Sequence, residues 1–370
     1  MTDRPDELTP DEVRRYGRHT VIPEVGVEGQ QRLKAGSALV VGAGGLGSPA
    51  LLYLAAAGVG RIGIVEFDSV DESNLQRQIL YGTSDIGRPK IEAARARIAD
   101  VNPLVAIEPH AVRLDAANVI DLVSRYDVVI DGTDNFAARY LVNDACVITR
   151  RPNVYGSVFR FEGQVSVFAA KDGPCYRCLH PEPPAPGVIP GCSEAGVLGV
   201  LPGLVGTIQA SEAIKLIARL GEPLIGRLLL IDALGPRFRE IRLPRDPECP
   251  VCGTRPTITS PIEYTLLCGD LPAEEATEIT ADDLRRRIAA REPLLILDVR
   301  EPHEHALNAI DGSRLVPLGE LASRLDELPR DRPIVAHCAV GMRSEKAAKL
   351  LREKGFQAVS LKGGMTAWRG

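Results

Sequence analysis

The sequence predicts an α/β protein in two domains, a larger one followed by a smaller one. Three observations predict it. Short apolar runs that suit buried strands, such as 38–41, 62–65 and 127–131, alternate with helical patterns of ten or more residues. A chain of 370 residues is too long for one ordinary hydrophobic core. A stretch with prolines at 256, 261 and 272 and little periodicity separates two such alternating series. The expected division is a first domain over residues 1–252, a linker over 253–275 and a second domain over 276–370. Some 20 flexible residues would span roughly 25 Å, enough for the second domain to swing towards the first.

Composition narrows the class. A charged share of 25% and a hydrophobic share of 45% are ordinary for a soluble globular chain. A net charge of −5 argues against a nucleic-acid partner, which favours a basic face. No apolar run suggests a membrane span, and residues 1–19 are too polar for a signal peptide. The expected location is the cytoplasm, where the eight cysteines would be mostly reduced and better read as metal ligands and catalytic groups than as disulfides.

In chain order, Thr9-Pro10-Asp11-Glu12 is a helix start, with Thr as cap and acids in the first turn. The helix is expected to carry Arg14, Arg15 and Arg18 on a solvated face. The strand at 38–41 breaks at Gly42-Ala43-Gly44-Gly45-Leu46-Gly47, an Ala- and Leu-rich helix runs over 48–57, and a second strand at 62–65 ends in Glu66. Gly42, Gly44, Gly45 and Gly47 suit a turn where a Cβ would block the backbone or the approach of a phosphate, and the following helix presents free N–H groups to an anion. Glu66 sits where an acid can hold ribose hydroxyls. That loop alone suggests NAD. Asn74, Arg77 and Lys90, just beyond it, add a polar and cationic set that a triphosphate needs and a nicotinamide does not.

The strand at 127–131 breaks at Gly132-Thr133-Asp134-Asn135, at the end of a parallel strand where α/β sheets bind ligands. Asp134 is thus a candidate magnesium ligand; the alternative is that Asp131 or Asp134 caps the helix over 136–148. Cys175 and Cys178, with Cys249 and Cys252, form two C-x-x-C pairs that suit a closed, structural, tetrahedral zinc site. Between them, 181–203 reads as a Pro/Gly-rich loop with Cys192 in its middle, followed by a helix over 208–220. Cys146 and Cys268 read as small hydrophobes.

In the second domain Thr280 caps a helix over 281–290, and a strand at 294–299 leads into Arg300. A strand at 334–337 runs into Cys338-Ala339-Val340-Gly341-Met342-Arg343, and a helix follows over 344–354. A cysteine between strand and helix sees backbone N–H groups, the helix dipole and Arg343, all of which favour a thiolate and a persulfide anion.

With these residues in view, 8–252 resembles the MoeB/ThiF group of ubiquitin-activating-like adenylyltransferases. The resemblance rests on the Gly42–Gly47 loop, Ser73-Asn74-Leu75-Gln76-Arg77-Gln78, Lys90, Thr133-Asp134-Asn135 and the cysteine pairs. Residues 276–370 resemble a rhodanese domain through Asp298-Val299-Arg300-Glu301-Pro302, the Cys338–Arg343 loop and Gly363-Gly364-x-x-Ala367-Trp368. The fused order is similar to MoeZ-type bacterial proteins and to the eukaryotic molybdopterin-synthase sulfurylase. The resemblance implies a Rossmann-like ATP-binding domain with a mixed sheet, then a smaller α/β sulfurtransferase domain. It implies that Glu66 holds the ribose, that Asn74, Arg77 and Lys90 hold phosphates and that Asp134 binds magnesium. Arg18 would reach into the neighbouring subunit of a homodimer, and Cys192 matches a cysteine that some relatives use in thiol chemistry. One departure is Asn308-Ala309-Ile310, where many rhodaneses carry Gly-His-Ile.

The implied substrate is the C-terminal glycine of a small β-grasp sulfur-carrier protein, activated with ATP and Mg2+ to an acyl-adenylate. A Cys338 persulfide, charged by a cysteine desulfurase or thiosulfate and flanked by Arg343, would then deliver sulfur, with Cys192 releasing the thiocarboxylate. Arg77 and Asp134 would serve the adenylation step, and Zn2+ would be structural. Three rival readings are an NAD-dependent oxidoreductase, a docking module with an inactive rhodanese fold, and an activating enzyme for protein conjugation through a Cys192 thioester.

Overall fold

The computed structural model describes residues 7–184, 196–235, 237–262, 277–290 and 292–369. The chain divides into two compact units, Met1–Asp270 and Leu271–Gly370.

The first unit is built on an eight-stranded sheet. In chain order its strands are β1 (Ser37–Val41), β2 (Arg61–Val65), β3 (Ala106–His110), β4 (Val128–Asp131), β5 (Asn153–Phe159), β6 (Glu162–Phe168), β7 (Arg227–Asp232) and β8 (Arg237–Arg242). Their spatial order is β3-β2-β1-β4-β5-β6-β7-β8. The first five are parallel and the rest antiparallel, so the sheet is mixed as expected. β1 is buried along its whole length, because a parallel strand covered on both faces needs apolar residues at every position. Ala38 and Val40 face the helices Gly47–Ala57, Lys90–Val101 and Val200–Ala218, while Leu39 and Val41 face Val119–Ser124 and Phe136–Thr149. The result is three layers. Chain order reverses between β1 and β4, and a crevice opens there at the carboxyl ends of the strands.

Several boundaries differ from expectation. The first helix ends at Arg15, and Arg18 stands on a separate short helix, Gly17–Thr20. The break falls at Tyr16, which turns into the core and accepts a hydrogen bond from Asn102 at 2.8 Å. The long helix starts at Val200, inside the stretch expected to be loop. Proline is tolerated in a first turn, so Pro202 does not delay it. At 19 residues this helix is also apolar enough to cross a membrane. It packs on the sheet instead: the Gln209 amide donates to the Asp131 and Val154 carbonyl oxygens at 2.8 and 2.9 Å, and Glu212 accepts the Leu224 N–H.

The second unit is a five-stranded parallel sheet of β9 (Glu278–Ile279), β10 (Leu295–Asp298), β11 (Arg314–Leu315), β12 (Ile334–His337) and β13 (Ala358–Leu361), in the order β11-β10-β12-β13-β9. One apolar cluster gathers Leu297, Ala336, Cys338 and Leu351, and a second gathers Leu284, Ile296, Val335 and Met365. The helix Met342–Glu353 follows the central strand β12 directly.

Candidate functional site

β1 and β4 end side by side, and their loops form the floor of a pocket lined by Gly42, Gly44, Gly45, Glu66, Arg77, Lys90 and Asp134, among others. Two glycines explain the shape of the turn. Gly42 has φ +88°, a backbone that side chains rarely adopt. A Cβ on Gly47 would lie 2.0 Å from the Gly42 carbonyl oxygen, so only glycine lets the helix start tight against the strand. At Gly44 the nearest atom to a Cβ would be 3.7 Å away, which leaves space over that backbone for a ligand. Gly47 shapes the loop from behind and does not line the pocket.

Glu66 is buried, and its carboxylate braces the loop. Oε2 accepts the Ala43 N–H at 3.0 Å, and Oε1 accepts those of Phe67 and Asp68 at 2.8 and 3.0 Å. A carboxylate has about four acceptor positions, so about one remains for a ribose hydroxyl. The Tyr81 hydroxyl donates to the Ala43 carbonyl oxygen at 2.9 Å and fixes the loop from the other side.

Lys90 opens its helix and is only 5% exposed, with Nζ 3.4 Å from the Asp68 carboxylate. Arg77 donates to the Ser73 carbonyl oxygen at 3.0 Å. Asn74 does not line the pocket: its side chain accepts the Asp71 N–H in a capping box that holds the turn bearing Arg77. Asp134 lines the pocket and is exposed. The helix behind it is capped by Asn135, which accepts the Ala138 N–H at 2.9 Å, so neither Asp131 nor Asp134 is the cap. Asp131 is buried, and its Oδ1 accepts from the Thr133 N–H and hydroxyl at 3.0 and 2.6 Å. Arg18 is exposed and outside the pocket, and Cys192 lies outside the described residues.

Two arginines of the pocket were missed by sequence reasoning. Arg139 is buried, donates to the Thr133 carbonyl oxygen at 3.3 Å and lies against the Phe136 and Tyr155 rings. Its signal was a charge one turn into an apolar helix that starts at the pocket. Arg113 lies over the Phe67 ring and has no comparable pattern around it.

The four paired cysteines come together as expected from spacing. Their sulfurs lie within 4.8 Å of one another, with Cys175–Cys249 at 3.5 Å and Cys178–Cys252 at 3.4 Å. Tetrahedral zinc with bonds of about 2.3 Å needs sulfurs about 3.8 Å apart, so the set fits that ion. The knuckle is fastened to the helix Phe136–Thr149: Arg177 pairs with the buried Asp144 at 2.9 and 3.0 Å, and Asn143 accepts the Tyr176 N–H. Cys146 is buried in the same helix, and burial pushes its thiol up.

In the second unit Cys338 is 1% exposed at the root of its loop. The Gly341 N–H donates to its sulfur at 3.2 Å, and the Ser344 hydroxyl oxygen lies 3.5 Å away. Burial would raise the thiol, but hydrogen bonds from Ser344 and the loop backbone outweigh it and bring it below the ordinary cysteine value. Arg343 interacts electrostatically with the Cys338 thiolate, as expected, but its hydrogen bonds go to another group. Its two terminal nitrogens donate to Glu304, each at 2.7 Å. At the departure noted above, Asn308 is used structurally: its side-chain and backbone oxygens accept from Arg300, which also clasps Asp298. Ala309 is exposed.

Comparison with known proteins agrees with both halves. The ThiF family profile matches residues 16–251, and the rhodanese-like domain profile matches 280–370. The chain is 48% identical to the probable adenylyltransferase/sulfurtransferase MoeZ of Mycobacterium tuberculosis, over 98% of this chain and 94% of that protein. It is 52% identical to a sulfur carrier protein adenylyltransferase of Thermus thermophilus, over 70% of this chain and 98% of that protein. Among solved structures, E. coli MccB with succinimide shares the fold, with a TM-score of 0.58 at 21% identity over 67% of this chain and 75% of that one. The chain belongs to the ThiF family and carries a C-terminal rhodanese-like domain, an adenylyltransferase joined to a sulfurtransferase.

Proposed function

We propose that the chain adenylylates the C-terminal glycine of a small ubiquitin-like sulfur-carrier protein and then converts it to a thiocarboxylate with sulfur from Cys338. The observation that carries this reading is the pairing of two sites: a glycine-loop pocket with Glu66, Arg77 and Lys90, and a buried cysteine under backbone N–H donors. The name of the Thermus relative supports the substrate class.

In the pocket, the free acceptor position of Glu66 takes a ribose hydroxyl, and Lys90 and Arg77 offset phosphate charge. The glycine carboxylate attacks the α-phosphorus of ATP, its oxygen–phosphorus bond forming as the bond to pyrophosphate breaks. Catalysis here is positioning and electrostatics, since AMP supplies the leaving group that a carboxylate lacks. Asp134 would hold magnesium, which when bound neutralises charge on the departing pyrophosphate. Arg18 would complete the phosphate contacts of a partner subunit in a homodimer. Cys175, Cys178, Cys249 and Cys252 would hold zinc as a closed structural clip with no part in the chemistry.

In the second step the terminal sulfur of a Cys338 persulfide attacks the activated carbonyl and AMP leaves. A second thiol, assigned to Cys192, attacks the Cys338 sulfur of the resulting acyl disulfide, releasing the thiocarboxylate and leaving a disulfide that a cellular thiol reduces. The setting is the cytoplasm, where such thiols are abundant.

ATP–pyrophosphate exchange with candidate carrier proteins, followed by mass analysis of the carrier after adding a sulfur donor, tests the reading. Exchange together with replacement of one oxygen by sulfur, lost in Cys338→Ala, is the expected result. No exchange with any carrier would overturn the nucleotide assignment.

A further inference from the structure

The loop from Cys338 to Arg343 contains one charged side chain, Arg343, and the structure engages it elsewhere. Both terminal nitrogens of Arg343 donate to Glu304 at 2.7 Å, one to each carboxylate oxygen. The side chains are 35% and 25% exposed, so the pair is partly withdrawn from water. Glu304 is itself fixed, because it also accepts the Glu301 N–H at 3.0 Å in the capping box that starts the helix Pro302–Leu307. Hydrogen bonds from Arg343 push its carboxyl down to about 2, so it stays ionised across the physiological range. A two-point pair of this kind leaves little net charge for a third group.

The rest of the loop, Ala339 to Met342, offers only backbone and apolar side chains. Gly341 N–H already serves the Cys338 sulfur, and the outward side chains Val340 and Met342 are 60% and 68% exposed. Thiosulfate carries two negative charges that a site must compensate. A persulfide carries at most one, attached to an organic body.

We propose that Glu304 sets the sulfur-donor preference of this unit: by pairing with Arg343 it compensates the charge of the loop's cation, and so favours a persulfide over a dianion such as thiosulfate. The inference rests on Cys338 being the sulfur-accepting residue. With a persulfide, the Cys338 thiolate attacks the outer sulfur of R–S–SH, a sulfur–sulfur bond forms to Cys338, and R–S⁻ departs. With thiosulfate the same attack expels sulfite. Both steps balance without an added oxidant or reductant. Glu304 therefore acts through Arg343, as a specificity-determining residue.

The test uses the full chain, with cyanide as acceptor and thiosulfate or 2-hydroxyethyl persulfide as donor. In Glu304→Gln the freed guanidinium lowers the thiosulfate KM relative to the persulfide KM about tenfold, equal to about 1.4 kcal/mol. About 0.5 M salt, where the screening length falls towards 3 Å, removes most of that gain. An unchanged ratio, or a gain that salt does not touch, would overturn the proposal, since a purely structural Glu304 would move both donors together. The unmodified chain gives a second reading that needs no variant. Its thiosulfate KM should vary less than about twofold with salt, because the loop's cation is already paired, and a steep rise would refute the charge argument. Transfer that survives Cys338→Ala would instead overturn the assignment of Cys338, an outcome separate from an unchanged donor ratio.

Discussion

His337 closes the central strand of the second unit, fully buried, and neither ring nitrogen has a hydrogen-bond partner among the described residues. Burial drives its pKa down to about 4, with Arg300 adding to the effect and Asp298 opposing it. The ordinary value is about 6.5, so the unfolded chain binds a proton at a pH where the folded unit refuses it. The sign follows from that difference: the contribution is fully present above about pH 6.5 and is lost as pH falls towards about 4. Over the window from pH 7 to pH 5 the two values give a loss of about 2 kcal/mol, before most carboxylates begin to titrate. Trp368 is the single tryptophan of the chain and packs at the edge of the Leu284–Met365 cluster in this same unit, so its fluorescence reports the unit directly. Urea titrations followed through Trp368 at pH 7 and pH 5 should show the loss, and His337→Met should flatten the dependence. Equal stability at both pH values, or the same slope in His337→Met, would refute the claim that the buried imidazole is neutral.

Below that window Asp298 takes over. Burial opposes its ionisation, but hydrogen bonds from Arg300 and His305 outweigh burial and hold it at about 2. Stability is therefore lost again as pH falls from about 5 to about 1, by up to about 2.5 kcal/mol on the same Trp368 readout. Lys90→Met should reduce ATP–pyrophosphate exchange by about 10² to 10³, the scale of removing one preorganised charge, while the circular dichroism spectrum stays unchanged. Arg177→Met removes both hydrogen bonds that the guanidinium donates to the buried Asp144 carboxylate. It should cost about 3–5 kcal/mol, seen as a fall in the calorimetric transition of the first unit, with much of it recovered when Asp144→Leu is added. Elemental analysis should find one zinc per chain, with Cys175→Ser losing it; full retention of zinc in that variant would disprove the ligand set.

The central parallel strands were legible because buried parallel strands read as unbroken apolar runs, as at Leu39-Val40-Val41 and Val128-Val129-Ile130, whereas β6 to β8, which pair antiparallel and carry polar residues between apolar ones, were not. The glycine loop and the cysteine pairs were legible because backbone sterics and metal geometry each tie a function to a fixed local spacing. What the sequence concealed is long-range. Arg343 is 39 residues from Glu304, and no local pattern marks them as partners. Arg139 reaches the pocket only because Asn135 sets the helix phase there. The early start at Val200 was hidden by Pro202, Gly203 and Gly206, which read as breakers in isolation. The first is compatible with an initial turn, and a Cβ on Gly206 would lie 2.2 Å from the Leu46 carbonyl oxygen, so that glycine is a packing requirement rather than a break.

In both units a strand turns through a short loop into a helix beside the candidate site. They differ in what they do with cations. In the first unit Arg77 donates to a neutral carbonyl oxygen, and Lys90 meets Asp68 at a loose 3.4 Å, so positive charge is left facing the pocket. In the second unit Arg300 is clasped by Asp298 and Arg343 by Glu304, each through short two-point contacts. Backbone dipoles alone stabilise about one charge at the end of a helix, and a polyphosphate needs side-chain cations as well. The sorting of paired and loosely held cations therefore matches each unit to its chemistry, phosphoryl transfer with several charges in the first and sulfur transfer with one in the second.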